Sequence, residues 1–150
     1  ESADQVGTPP QTMSMKGRVL FMDDEESIRQ MAVFLLRRFG FEVTCVADGE
    51  EAVNVYRSAH EEGRGFALVI MDLTVPGGMG GKEALIRLRQ IDPNVRAIVS
   101  SGYSSDPVLA NYREHGFCGV AAKPYEVNDL ARVLREALAS GEREEAASGI

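Results

Sequence analysis

Long apolar runs are missing from this 150-residue chain, and none approaches the ~20 consecutive residues that a membrane-spanning helix needs. No secretory leader pattern opens it, so the chain, or the part of a protein it represents, reads as cytoplasmic and without a membrane segment. Basic residues are outnumbered, 16 Lys and Arg against 23 Asp and Glu, and the net charge is −7. Nucleic-acid surfaces draw their affinity from clustered Lys and Arg on phosphates, so that class of partner is excluded for this stretch. Cysteine is scarce: Cys45 and Cys118 stand far apart, without metal-ligand spacing. Both fall in or beside expected strands and read as reduced core thiols. No internal repeat is visible. What is present is 44% apolar residues, enough for the core of one compact domain.

From Gly17 onward, strand and helix patterns alternate five times. Strands are expected at Arg18–Met22, Glu42–Val46, Phe66–Met71, Ala97–Ser100 and Gly119–Ala122. Helices are expected at Glu26–Phe39, Gly49–Glu61, Lys82–Gln90, Pro107–His115 and Val127–Ala139. Ile28, Met31, Leu35 and Phe39 form the stripe of the first helix, and Leu130, Val133, Leu134 and Ala137 that of the last. Asp48 suits an N-cap, Gly40 a helix stop and Pro107 a first helical turn, while Pro93 bars the third helix from continuing. The first and third strands are apolar without alternation, as strands covered on both faces are. The pattern predicts an α/β fold with a doubly wound five-stranded parallel sheet, (βα)5. Residues 1–16, with Thr8-Pro9-Pro10-Gln11-Thr12, read as a linker or vector-derived remnant, 17–140 as the domain, and 141–150 as a flexible tail.

Four of these strands end on polar residues: Asp23-Asp24, Asp72, Ser100-Ser101 and Lys123-Pro124. The carboxyl ends of the strands in an open parallel sheet form the binding crevice, so three acids, a hydroxyl and an ammonium converge there. Crowded carboxylates raise one another's pKa unless a cation neutralises them. Oxygen-only ligands select hard ions, and few protein ligands with several waters suit Mg²⁺, with Mn²⁺ as a substitute. An Asp can attack phosphorus and form an aspartyl phosphate, with Lys123 and the metal offsetting phosphoryl charge and Ser101 donating a hydrogen bond. The Lys123-Pro124 peptide is a candidate cis bond. Taken singly, each residue has a plainer reading: turn or cap acids, a loop-opening serine, a solvated lysine. Their joint placement at the ends of one βα series favours the functional one.

On these motifs the stretch Val19 to Leu138 resembles the receiver domain of two-component response regulators. The resemblance implies a flavodoxin-like sheet of order 2-1-3-4-5, Asp72 as phosphoacceptor, Ser101 as switch hydroxyl and Lys123 as the phosphoryl-binding lysine. It implies Mg²⁺ bound directly by Asp24, Asp72 and the backbone carbonyl of Thr74, with Asp23 acting mainly through a water. The implied partner is a histidine kinase or histidine phosphotransfer domain, whose phosphohistidine donates the group; the implied state is a monomer or a weak phosphorylation-dependent dimer. The domain would promote its own phosphorylation and dephosphorylation without being an enzyme in the usual sense. Docking is expected at the crevice and the first helix, through Ile28, Met31 and Ala32.

Two features depart from the family pattern. Val120 stands three residues before Lys123, where the family often has an aromatic that turns inward; Tyr103 is a candidate substitute, although a partly exposed loop Tyr is the plainer reading. The loop Pro76-Gly77-Gly78-Met79-Gly80-Gly81 holds four glycines in five residues and is expected to be soft. The longer segment from Met71 to Gly81, together with Ser100-Ser101-Gly102-Tyr103-Ser104, most resembles receivers of hybrid sensor histidine kinases, and the Pro-bearing linker fits such a parent chain. A single-domain regulator is the alternative; too few residues follow the fifth helix for an effector domain. A Mg²⁺-dependent phosphatase of the haloacid dehalogenase type would want an acid where Thr74 stands and its nucleophile on the first strand. A non-phosphorylated interaction module would show a gap in the five-residue set.

Overall fold

Five strands and five helices alternate along residues 15–102 and 106–148, the part of the chain described by a computed structural model, with side chains described through residue 139. β1 (Gly17–Met22), α1 (Glu26–Phe39), β2 (Phe41–Val46), α2 (Gly49–Glu61) and β3 (Leu68–Asp72) make the first half. α3 (Gly81–Ile91), β4 (Ala97–Ser101), α4 (Pro107–Ala110), β5 (Gly119–Ala122) and α5 (Val127–Ser148) make the second. All neighbouring strands are parallel and the order is β2-β1-β3-β4-β5, the doubly wound flavodoxin-like arrangement expected from the sequence.

Strand residues alternate between two buried layers, which is why Val19–Met22 of β1 and Leu68–Met71 of β3 are apolar throughout. Val19, Phe21, Leu68, Ile70 and Ile98 face α1 and α5, while Leu20, Met22, Val69, Met71 and Val99 face the α2, α3 and α4 side. Each fully buried Leu, Ile or Phe contributes roughly 1.5–3 kcal/mol of transfer free energy, so both layers drive closure of the helices onto the sheet. Asp48 caps α2, its carboxylate accepting from the Glu51 N–H at 2.9 Å. Gly40 ends α1 in the left-handed region, its N–H donating to the Arg37 carbonyl. At the far end of the sheet from the strand C-termini, the Tyr56 hydroxyl donates to Asp92 at 2.7 Å and ties α2 to the end of α3.

Four expectations need correction. α4 stops at Ala110, not His115, because the N–H groups of Glu114, His115 and Gly116 bond three residues back and wind the chain into tight turns. α5 runs through Gly141 to Ser148, past the expected helix end at Ala139: a glycine costs a helix only about 1 kcal/mol, and good helix formers follow it. Ala32 is buried, because it continues the core stripe between Ile28 and Leu36; the exposed apolar residues of α1 are Met31 and Phe34, 40% and 59% accessible. Cys45 and Cys118 are free thiols but only half-buried, and burial pushes both upward in pKa. Met15 is also buried, so packing begins two residues before Gly17. Residues 1–14, which carry most of the expected linker, and Tyr103 lie outside the described residues.

The glycine-rich loop after β3 is tethered. The Gly49 N–H at the start of α2 donates to the Met79 carbonyl at 2.8 Å, and the Gly78 N–H to Val75 at 3.0 Å. Gly80 lies so close to β3 that a Cβ there would collide with the Leu73 carbonyl oxygen. Gly80→Ala is therefore expected to cost about 1–3 kcal/mol in urea unfolding. Gly65→Ala, a site with open space, is expected to change stability by no more than about 0.5 kcal/mol.

Candidate functional site

Strand alternation aims the acids. Asp23, Asp72 and Ser100 each lie two residues beyond Phe21, Ile70 and Ile98, which all face the α1/α5 layer, so the polar row continues the apolar one. Asp72 pairs with Ser100 across the β3–β4 register, and Ser100 with Ala121. Lys123 lies two residues beyond Ala121, with its N–H bonded to the Ser101 carbonyl at 3.0 Å.

At this end of the sheet the Lys123 Nζ sits 3.0 Å from Asp23 Oδ2 and 3.4 Å from Asp72 Oδ1. Asp23 is wholly buried; its other oxygen accepts from the Glu25 N–H at 2.9 Å, and its backbone carbonyl accepts from Arg29 at 2.7 Å. Asp24, next in sequence, is exposed. Burial pushes the Asp72 carboxyl up to about 6; the Asp23 charge adds to this, while Lys123 and the Thr74 N–H oppose it. For Lys123, burial works downward, but the Asp23 hydrogen bond and the two carboxylate charges outweigh it and the shift is upward.

Ser101 is buried at the last position of β4, one residue past the partner of Asp72. Val120 pairs with Val99 and packs half-buried against the α2/α3/α4 layer, with no aromatic ring at that position. The Lys123-Pro124 peptide is cis. Sequence reasoning passed over a pair beneath the acids: the Ser100 and Tyr125 hydroxyls lie 2.6 Å apart. The signal was available, since Ser100 stands two residues beyond Ile98 on the face that Asp72 shares. Burial pushes the Tyr125 phenol well upward, against the Ser100 hydrogen bond and with the charges of Asp23 and Asp72.

Oxygens of Asp23, Asp24 and Asp72 lie within 4.8 Å of one another. Opposite oxygens around a six-coordinate Mg²⁺ are about 4.2 Å apart, so small side-chain rotations bring this oxygen-only set onto one hard cation. The residues fit the ion. One ammonium already offsets part of the acid charge; a divalent ion would offset the rest.

Residues 19–135 match the family described as the response regulator receiver domain. The chain belongs to that family. This receiver domain is 26% identical over 124 residues to sporulation initiation phosphotransferase F of Bacillus subtilis (strain 168), covering 83% of this chain and 95% of that protein. It is 30% identical over 126 residues to the sensor kinase CckA of Brucella abortus (strain 2308), covering 84% of this chain and 13% of the kinase. Several other curated relatives are matched over about half of their length or less. The solved receiver domain of a sensor histidine kinase from Pseudomonas aeruginosa, with a magnesium ion coordinated in its active site cleft, has the same fold. Its TM-score is 0.71 at 23% identity, covering 83% of this chain and 99% of that one. The chain is thus a phosphoacceptor signalling domain of the two-component type, a family that works with histidine kinases or phosphotransfer proteins.

The burial of Asp72 has a pH signature. An unfolded Asp loses its proton near pH 4, whereas folded Asp72 holds it to about pH 6, so between those values the folded state binds more protons and stability falls as pH rises. In EDTA, Asp72→Asn is expected to gain on wild type from pH 4 to pH 6.5 and then level off. The ceiling on that gain is about 3 kcal/mol, and about 1–2 kcal/mol once solvent access to the crevice is allowed for. Urea midpoints across pH measure it; a pH-independent difference would show that Asp72 titrates at its ordinary value.

Proposed function

We propose that Asp72 accepts a phosphoryl group from a phosphohistidine in a Mg²⁺-dependent reaction, and that the resulting charge switches the domain's surface. The observation that carries this is the Asp72 carboxylate itself, buried at the end of β3, 3.4 Å from the Lys123 ammonium and clustered with Asp23 and Asp24. A carboxylate oxygen attacks phosphorus; the O–P bond forms as the N–P bond breaks, and the imidazole leaves with the bonding pair. Lys123 offsets negative charge on the phosphoryl oxygens, and Ser101 donates to one of them. Asp23, Asp24, Asp72 and the Thr74 carbonyl would hold Mg²⁺, or Mn²⁺ in its place, which supplies positive charge against the same oxygens. The magnesium in the Pseudomonas receiver supports this reading. The same positive charge and hydrogen-bond donors that favour the transfer also favour later attack by water, so the domain promotes both its own phosphorylation and its loss.

The parent chain is read as a hybrid histidine kinase of the cytoplasm, on the likeness to the Brucella sensor kinase. A single-domain regulator is the second reading, favoured by the near full-length match to phosphotransferase F. The reading frame upstream of Glu1 decides between them. The domain is proposed to act as a monomer or a weak phosphorylation-dependent dimer.

Incubated with Mg²⁺ and acetyl phosphate, the domain is expected to gain one hydroxylamine-sensitive phosphoryl group, detected by intact mass. Asp72→Asn or EDTA should abolish labelling, because an amide is a far weaker nucleophile and the acids then lack their cation. Labelling of Asp72→Asn at the wild-type level would remove Asp72 from the role.

The donor's helical domain is proposed to dock over the crevice and the exposed Met31 and Phe34 of α1. Phe34→Asp should slow transfer from a phosphohistidine protein at least about tenfold, the cost of a charge in an apolar contact. Labelling by acetyl phosphate, which needs no docking, should stay at the wild-type rate. Equal transfer rates would exclude this face.

A further inference from the structure

Among the described residues the site is closed from below by a ring of contacts that no single motif in the sequence announces. The Leu73 N–H, next to Asp72, donates to the Ser100 carbonyl at 2.8 Å. The Ser100 hydroxyl meets the Tyr125 hydroxyl at 2.6 Å. Tyr125 is two residues from Lys123, whose ammonium returns to Asp72 at 3.4 Å. The Tyr125 ring is held independently, edge-on to Phe21 with centroids 6.1 Å apart.

We propose that the Ser100–Tyr125 hydroxyl pair holds the Lys123 ammonium in line with Asp72, making Ser100 and Tyr125 positioning residues for phosphoryl acceptance. The proposal rests on Asp72 being the acceptor. Two observations separate it from simple packing. A phenylalanine at 125 would keep the edge contact with Phe21, and an alanine at 100 would keep the Leu73 bond, so the hydroxyls are not needed for either. Yet Ser100 is 1% exposed, and a hydroxyl that deep costs desolvation unless it is bonded. The pair bonds the end of β4 to the segment after the lysine, whereas Val120, before the lysine, offers only a short branched side chain. Breaking it removes one tie between β4 and residues 123–125 and frees the ammonium to drift. A drift of about 1 Å at a reacting centre is enough to cost up to about a hundredfold in rate.

The test compares initial labelling rates with acetyl phosphate at saturating Mg²⁺ for wild type, Tyr125→Phe, Ser100→Ala, the double variant and Ser100→Thr. Each hydroxyl deletion is expected to slow labelling about three- to tenfold, the double variant no more than either single one. Ser100→Thr keeps the hydroxyl and should recover most of the rate. Half-saturating Mg²⁺ should be unchanged throughout, which a loosened fold or a disturbed metal site would not give. A wild-type rate for Tyr125→Phe, or single effects that multiply in the double variant, would overturn the proposal. Should Ser100→Ala fail to fold, Tyr125→Phe alone decides. Absence of labelling in wild type would instead overturn the acceptor assignment on which it rests.

Discussion

An ammonium wedged between two buried carboxylates sets the terms for the rest of this molecule. Lys123 reaches Asp23 at 3.0 Å and Asp72 at 3.4 Å, in a layer where Asp23 has no solvent contact. Removing either acid would leave a cation short of a partner, and removing the lysine would leave two acids facing each other at low dielectric. One positive charge does not balance three carboxylates, so the site is left with a standing demand for more cation. Burial, working against the pull of Lys123, holds the Asp72 proton to about pH 6, still leaving the carboxylate ionised at neutral pH.

The sheet supplies the geometry for this at little local cost. Each of β1, β3 and β4 buries its apolar residues on both faces, and the chain then passes from core to crevice within two residues. Parallel register brings Asp72, Ser100 and Ala121 side by side. The tethered loop after β3 completes the wall: Gly80 lets the backbone fold onto Leu73, and the Met79 carbonyl docks on the first residue of α2. Glycine there serves close approach, whereas the composition alone suggested softness.

The sheet and the acids were legible because their signals are local. Uninterrupted apolar runs such as Val19–Met22 and Val69–Met71 end on the acids, and burial of both layers follows from that pattern. Less was legible where the deciding contact is tertiary. Nothing in Asp23-Asp24 says which carboxylate turns inward, except that Asp23 lies two residues beyond Phe21. The α1 stripe leaves its own edges undecided: only packing turns Ala32 inward and Phe34 outward. The end of α4 hinged on three-residue turn bonds that compete closely with helical ones. The Tyr125 hydroxyl had no sequence neighbour to explain it; its partner lies 25 residues away.

Helix α5 gives the site mechanical reach. It begins at Val127, four residues after Lys123, and its first turn is held by Glu126, whose carboxylate accepts from the Asp129 N–H at 2.8 Å. With 22 residues it is about 33 Å long, well beyond the four- to six-residue strands it covers. A tilt of about 5° at its start would sweep the far end through about 3 Å. A displacement too small to be felt by a partner at the acids would thereby be enlarged at the opposite end of the helix.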